Sequence, residues 1–320
     1  FFFKAEDGIR DLVRSRGLGD VYKRQTSNLA AGSLGSETSG SILSPSSANS
    51  LVGMKPTVGN VSRAGIVPIS STLDTAGPMT KFVIDNILIY NAINDFDPID
   101  EYSVENYDIK LESVIDNKTI KYRIGYYKSF YERDLLYKNS IDFLKEKGLD
   151  LIDIDAPEIR LEGFAKILDE DMRHDLRSYL SSYGNKNLEV EDISSIIKYN
   201  ELDSVERAPY GQGIFKKIIK DTMPINDFED LKYELMRKGN EFFNIPMDKF
   251  NLDVVLSINN YHAGYAAMAH NPCLTVPLKL RKNNEPAGLT IIGKSFEEQK
   301  LYEIGYFFEK NFEGRVPPKN

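Results

Sequence analysis

Residues 35–42 read Gly-Ser-Glu-Thr-Ser-Gly-Ser-Ile, a turn in which a serine hydroxyl follows directly on a glycine. Acyl transfer from an amide requires a nucleophile, a group to take its proton, and fixed donors for the oxyanion. Ser41 offers the hydroxyl, and small neighbours let a substrate carbonyl approach the backbone N–H groups of Thr38, Ser39, Gly40 and Ser41. Apolar Ile42 and Leu43 would anchor the loop behind it. The same residues also describe a polar turn whose hydroxyls are satisfied locally, and the octapeptide alone does not choose between the two. Seven serines fall between Gly35 and Ser50, so any nucleophile has to be singled out from its neighbours.

The elements that must position this turn are legible to different degrees. From Thr26 to about Thr80 the chain is rich in Gly, Ser and Pro; a structureless stretch of that length is unusual in a compact domain, which predicts buried turns and short strands. Residues 79–93 carry apolar positions at helical spacing. Residues 122–127 and 149–156 read as strands separated by a helix that stops at Gly148, a βαβ unit with parallel pairing. The pattern from 157 to 245 is helical, strands return at 253–258, 273–278 and 288–293, and an amphipathic helix follows from Phe296 to Glu309. This alternation specifies an α/β fold, a mixed β-sheet covered by helices on both faces, with no linker to divide it.

Composition removes several function classes. Hydrophobic residues make up 41% and charged residues 28% of the chain, as in soluble globular proteins, and no apolar run has the length of a membrane span. A formal charge of −8 argues against a nucleic-acid partner, because phosphate contacts need a basic face. Cys273 is the sole cysteine, which excludes an intrachain disulfide and a multi-cysteine metal site and fits a reducing, cytoplasmic setting. No phosphate loop, dinucleotide fingerprint or zinc motif is present, so no metal and no cofactor is expected. The acidic run at residues 168–175 is read as a solvated helix face.

The run from Gly35 to Asp85 resembles the defining block of the amidase signature family. After the serine turn come Pro45, Gly53-Met-Lys-Pro-Thr57, Gly65-Ile-Val-Pro68, Asp74-Thr-Ala-Gly-Pro78 and an Asp-bearing helix, in the family's order and spacing. Residues 270–278, 285–293 and 307–318 look like the family's last strands and helix, and residues 196–215 are similar to the helical insert of the bacterial branch that includes peptide amidases. The resemblance covers nearly all of residues 26–320, read as a partial amidase domain with a helical insert at about 157–245. It implies an amidase, a hydrolase acting on linear amides, with Ser41 acylated, the backbone amides of Thr38, Ser39 and Gly40 in the oxyanion hole, and no cofactor. It also implies a base lysine and a bridging serine upstream of the nucleophile, and neither is found in this chain.

Counting back from Ser41 to the place of the bridging serine lands near Gly17, inside residues 1–25. That segment resembles translated sequencing-adapter DNA, a recurrent contaminant of metagenomic genes, and its acidic Glu6, Asp7, Asp11 and Asp20 do not suit a transit peptide. It is read as a non-native leader on a chain truncated at its N-terminus, so the native start is unknown and a non-catalytic fragment is one expectation. Within the chain, the resemblance assigns Lys55 to the scaffold and Asp74 to fixing a turn. His174, His262 and His270 are expected in surface or loop roles, with His262 placed at a pocket mouth. Some family members carry an arginine just after the Ser-Ile pair; Leu43 and Ser44 stand here, which favours an uncharged or peptide-like amide substrate. A glutaminase subunit of a tRNA-dependent amidotransferase is the alternative.

Overall fold

The computed structural model describes residues 30–105, 107–116 and 120–317. Residues 1–25 lie outside these, so the leader reading is not addressed by the structure. The chain runs through β1 (Gly32–Glu37), α1 (Leu43–Ala48), β2 (Val52–Lys55), β3 (Thr75–Thr80), α2 (Val83–Ile93), α3 (Leu111–Asp116), β4 (Arg123–Tyr127), α4 (Lys128–Arg133), α5 (Leu135–Glu146) and β5 (Asp150–Ile154). A helical stretch follows: α6 (Phe164–Tyr183), α7 (Ile193–Glu201), α8 (Ser204–Arg207), α9 (Gly213–Lys220) and α10 (Ile225–Phe250). It closes with β6 (Val254–Ile258), α11 (Ala263–Met268), β7 (Cys273–Leu280), β8 (Pro286–Ile292) and α12 (Glu298–Phe312).

All eight strands form one mixed sheet in the order β1-β3-β2-β7-β8-β6-β4-β5. β4 pairs in parallel with β5 and with β6, and the remaining pairs are antiparallel. Alternate residues of β6 divide the core. Val254 and Leu256 join the layer that holds Tyr90, Ile141, Leu144 and Phe308, while Val255 joins the layer of Leu43, Phe242, Phe243 and Ala263. Both faces are therefore covered, and all five β6 residues are buried.

Local chemistry explains the clearest elements. Asp134 caps α5 by accepting the Tyr137 amide at 3.0 Å. At the other end Gly148 takes a φ of +82°, and the amides of Gly148 and Leu149 return to the carbonyls of Lys145 and Leu144, a glycine-closed helix end. The segment foreseen as a helix over 79–93 is divided, because Met79 and Thr80 finish β3 and the helix starts at Val83. Among the described residues no helix is long and apolar enough to cross a membrane.

α12 caps α2 with a carboxylate: Glu309 accepts the Val83 amide at 3.0 Å. Burial pushes the Glu309 carboxyl up to about 7, with the Val83 amide opposing the shift and Asp85 adding to it. The folded protein then binds this proton more tightly than the unfolded chain, so the associated stability is complete below about pH 4.5 and is lost as pH rises through about 7. Glu309→Gln is neutral at every pH and retains an acceptor. It is expected to raise stability by on the order of 2 kcal/mol at about pH 8 and to have little effect near pH 4.5, read by denaturant titrations at the two pH values.

Candidate active site

The serine turn connects β1 to α1. Its backbone reverses at Gly40, whose φ of +93° is a conformation that L side chains rarely adopt, so glycine is required there. Helix formation starts at once, with the Ser44 amide donating to the Gly40 carbonyl at 2.8 Å. The first amides of α1 are taken by Glu37, the last residue of β1: its Oε2 accepts from Ile42 N at 2.7 Å and Leu43 N at 2.9 Å. Burial pushes the Glu37 carboxyl up, against the pull of these amides, of Lys55 and of the Gly40 amide. Glu37 has no solvent exposure, and its signal in the sequence is that it is the only acidic residue between Asp20 and Asp74.

The seven serines separate by environment. Ser46, Ser47 and Ser50 are buried, Ser39 and Ser44 are half-buried, and Ser36 is exposed but lies within β1, before the turn. Ser47 Oγ shares a 3.1 Å hydrogen bond with Thr275 Oγ1, and a Cβ added to Gly53 would lie 2.2 Å from Ser46 Oγ, so small residues on both sides bring α1 down onto the sheet. Ser41 is exposed, and among the described residues its hydroxyl has no hydrogen-bond partner. No acceptor among them takes the backbone N–H of Ser39 or Ser41 either. α11 passes over the turn, where a Cβ on Gly264 would sit 3.8 Å from Ser39 Oγ. Beside the next residue, Tyr265, opens a cleft of about 800 Å³ lined by Ile159, Arg160, Arg237 and Glu241.

Lys55 is fully buried, and its Nζ donates to the carbonyls of Asn271 at 2.8 Å and Pro56 at 3.0 Å. Burial pushes its pKa down, and Cys273, Glu37 and Glu298 oppose that shift. An ammonium engaged with two carbonyls is a scaffold group, and it makes no hydrogen bond to Ser41. Asp74 fixes the loop at residues 69–74: its Oδ2 accepts the amides of Ile69 at 2.8 Å and Ser70 at 2.9 Å, while Oδ1 accepts from the Thr38 hydroxyl.

The histidines depart in part from expectation. His174 is exposed. His262, foreseen at a pocket mouth, is a core residue, 4% exposed, its ring packed against Tyr127, Phe130 and Phe242 and its Nδ1 within 2.9 Å of Ser257 Oγ. Burial in this aromatic cage holds its pKa down at about 3, so it stays neutral. His270 is pushed down to about 4 by burial and by Lys55. None of the three has a hydrogen bond to Ser41. Among the described residues no group of three or more His, Cys, Asp or Glu side chains is arranged to hold a metal ion.

The acidic run of α6 also corrects its reading as a solvated face, since Asp169, Glu170 and Asp171 are buried. Asp169 pairs with Lys217 at 2.7 Å, and Glu170 with Lys166 and Arg173, each at 3.1 Å, which explains how two of these charges tolerate burial.

A mixed sheet between two helical layers thus carries an exposed serine directly after a glycine-bearing turn. The family profile named Amidase matches residues 26–302, and the chain belongs to that family. It is 30% identical to a probable amidase of Arabidopsis thaliana, over 92% of this chain and 59% of that protein. It is also 30% identical to a glutamyl-tRNA(Gln) amidotransferase subunit of Caldanaerobacter subterraneus, over 91% of this chain and 65% of that protein. Among solved structures, an amidase family protein from Bacillus anthracis superposes with a TM-score of 0.85 at 29% identity, covering 93% of this chain and 60% of that one. The peptide amidase of Stenotrophomonas maltophilia gives 0.83 at 26%, covering 93% and 66%. The chain thus spans about three fifths to two thirds of the length of these relatives.

Proposed function

We propose that the protein is an amidase that hydrolyses a carboxamide through an acyl-enzyme on Ser41. The observation that carries this is the exposed, unbonded Ser41 hydroxyl on a turn whose Ser39 and Ser41 amides are open while Glu37 holds the turn from behind. Ser41 Oγ attacks the amide carbon and its proton passes to a base; the negative oxygen meets backbone N–H groups of the turn drawn from Thr38, Ser39, Gly40 and Ser41; the C–N bond breaks with proton transfer to the departing ammonia or amine; and water then releases the carboxylate. The Gly40 amide is partly drawn to Glu37, so Ser39 and Ser41 are the better-placed oxyanion donors. The resemblance assigns the Ser41 proton to a lysine, relayed by a second serine, and among the described residues no lysine or histidine is hydrogen-bonded to Ser41.

Leu43 and Ser44 after the nucleophile, and the likeness to a peptide amidase, support an uncharged or peptide-like amide as substrate. A buried free Cys273 suits the reducing cytoplasm. The test compares this chain with the same chain preceded by the genomic coding sequence upstream of Thr26. Ammonia release from C-terminal peptide amides, with a fluorophosphonate adduct mapped by mass to Ser41, is expected of the longer chain. A longer chain that folds, forms no adduct and leaves every simple amide intact overturns the reading. The likeness to an amidotransferase component supports a second reading, distinguished by glutaminase activity that appears only with partner subunits.

A further inference from the structure

Two carboxylates of α6, one buried and one half-buried, lack the ion pairs that hold their neighbours. Asp171 is 4% exposed and Asp175 is half-buried, and neither has a cation within ion-pair distance among the described residues. Burying a carboxylate is costly unless its lone pairs are engaged. Both are engaged by one short segment far away in sequence: the Ser70 hydroxyl donates to Asp171 Oδ2, and the Ser71 amide donates to Asp175 Oδ2 at 2.5 Å.

That segment is the loop at residues 69–74 already described. The amides of Ile69 and Ser70 are held by Asp74 Oδ2, and the Thr38 hydroxyl is held by Asp74 Oδ1. Thr38 is the first residue of the serine turn, three residues before Ser41. Ser71 is fixed from a third side, its carbonyl accepting from Arg63, whose guanidinium is paired with Asp100 at 2.6 Å. Lys232 on α10 acts on Asp171 from a distance, Arg63 acts on Asp74 of the loop, and Lys55 and Arg63 act on His270. An unbroken series of hydrogen bonds therefore runs from the helical insert through the serine pair and Asp74 to the turn that carries Ser41.

We infer that Asp171 and Asp175 are positioning residues, through which the helical insert holds the Ser41 turn in its reactive shape by way of Ser70, Ser71, Asp74 and Thr38. The inference rests on the reading of Ser41 as the nucleophile. It assigns the insert a part in the chemistry in addition to any part in substrate binding, because a turn displaced by a fraction of an ångström misaims both the hydroxyl and the oxyanion donors.

The test uses the full chain with its upstream coding sequence, in four forms: parent, Asp171→Ala with Asp175→Ala, Asp171→Asn with Asp175→Asn, and His174→Ala as an exposed control on the same helix. Two quantities are read, amide hydrogen exchange at residues 38–42 and the rate of fluorophosphonate labelling of Ser41 against probe concentration. Loss of one buried and one half-buried hydrogen bond to carboxylates is expected to speed exchange at 38–42 about tenfold and to lower the saturating labelling rate about tenfold, with the half-saturating concentration unchanged within about twofold. The Asn pair keeps an acceptor at each position and is expected to restore both quantities, and His174→Ala to leave both at the parent level. Should the Ala pair unfold, Asp175→Ala alone is read in the same way. Faster exchange confined to residues 69–74, with 38–42 and labelling unchanged, overturns the inference, as does an Asn pair that behaves like the Ala pair. A folded parent never labelled at Ser41 defeats the nucleophile reading instead, and exchange at 38–42 still decides whether the insert holds the turn.

Discussion

Lys55→Met is expected to destabilise the fold by about 3–5 kcal/mol, the range found when one member of a buried charged network is removed. Methionine has nearly the length of lysine and fills the same volume, so the loss is electrostatic and not a cavity effect. What disappears is the pair of hydrogen bonds to the Asn271 and Pro56 carbonyls and the positive charge opposite Glu37. Glu37 already has one carboxylate oxygen, Oε1, without a partner, so a further loss of compensating charge falls on a group with nothing in reserve. Adding Glu37→Gln to Lys55→Met should then cost less than the sum of the single changes, by about 1–2 kcal/mol in a double-mutant cycle. Denaturant titration measures all three variants. A Lys55→Met protein that melts like the parent yet cannot acylate Ser41 would make Lys55 a base and overturn its assignment to the scaffold.

The same pair shows where the sequence is informative and where it is silent. Elements whose signal is local were legible: the α5 helix has its Asp134 cap and its Gly148 stop within one stretch, β4 and β6 are buried strands rich in apolar residues, and β5, at the sheet edge, mixes polar and apolar residues up to the buried Ile154. β1 and β3 gave no such signal, although they form one margin of the sheet. Their residues are small because another part of the chain lies against them. A Cβ on Gly77 would fall 2.0 Å from the Met54 carbonyl oxygen, so the bulky residues that mark strands are excluded at that position. The turn around Ser41 was recognisable from residue types in order, yet the carboxylates that brace it were not. Glu37 looks like any polar residue of a turn until its burial is known. Asp171 sits on a helix whose charged pattern suits solvent, and its partner Ser70 is 101 residues away. Helical periodicity reports that a face is polar; it carries no information on which distant donors have come to meet it.

Ser41→Ala is expected to abolish acylation and amide hydrolysis while leaving stability within about 0.5 kcal/mol of the parent. The two halves of this prediction come from one observation, that Ser41 is exposed and its hydroxyl unbonded, so that alanine removes no contact of the fold. Ser47 sets the contrast. Its hydroxyl is buried and bonded to Thr275, so Ser47→Ala leaves that partner unpaired and is expected to cost about 1–2 kcal/mol, with Ser41 labelled at nearly the parent rate once folded. Mass mapping of the fluorophosphonate adduct, with a thermal melt on each variant of the longer chain, checks both. An adduct that persists in Ser41→Ala and moves with Ser39 or Ser44 would reassign the nucleophile within the turn. Loss of stability in Ser41→Ala comparable to that in Ser47→Ala would show that its hydroxyl has a structural partner, and would remove the contrast with the buried serines that follow it.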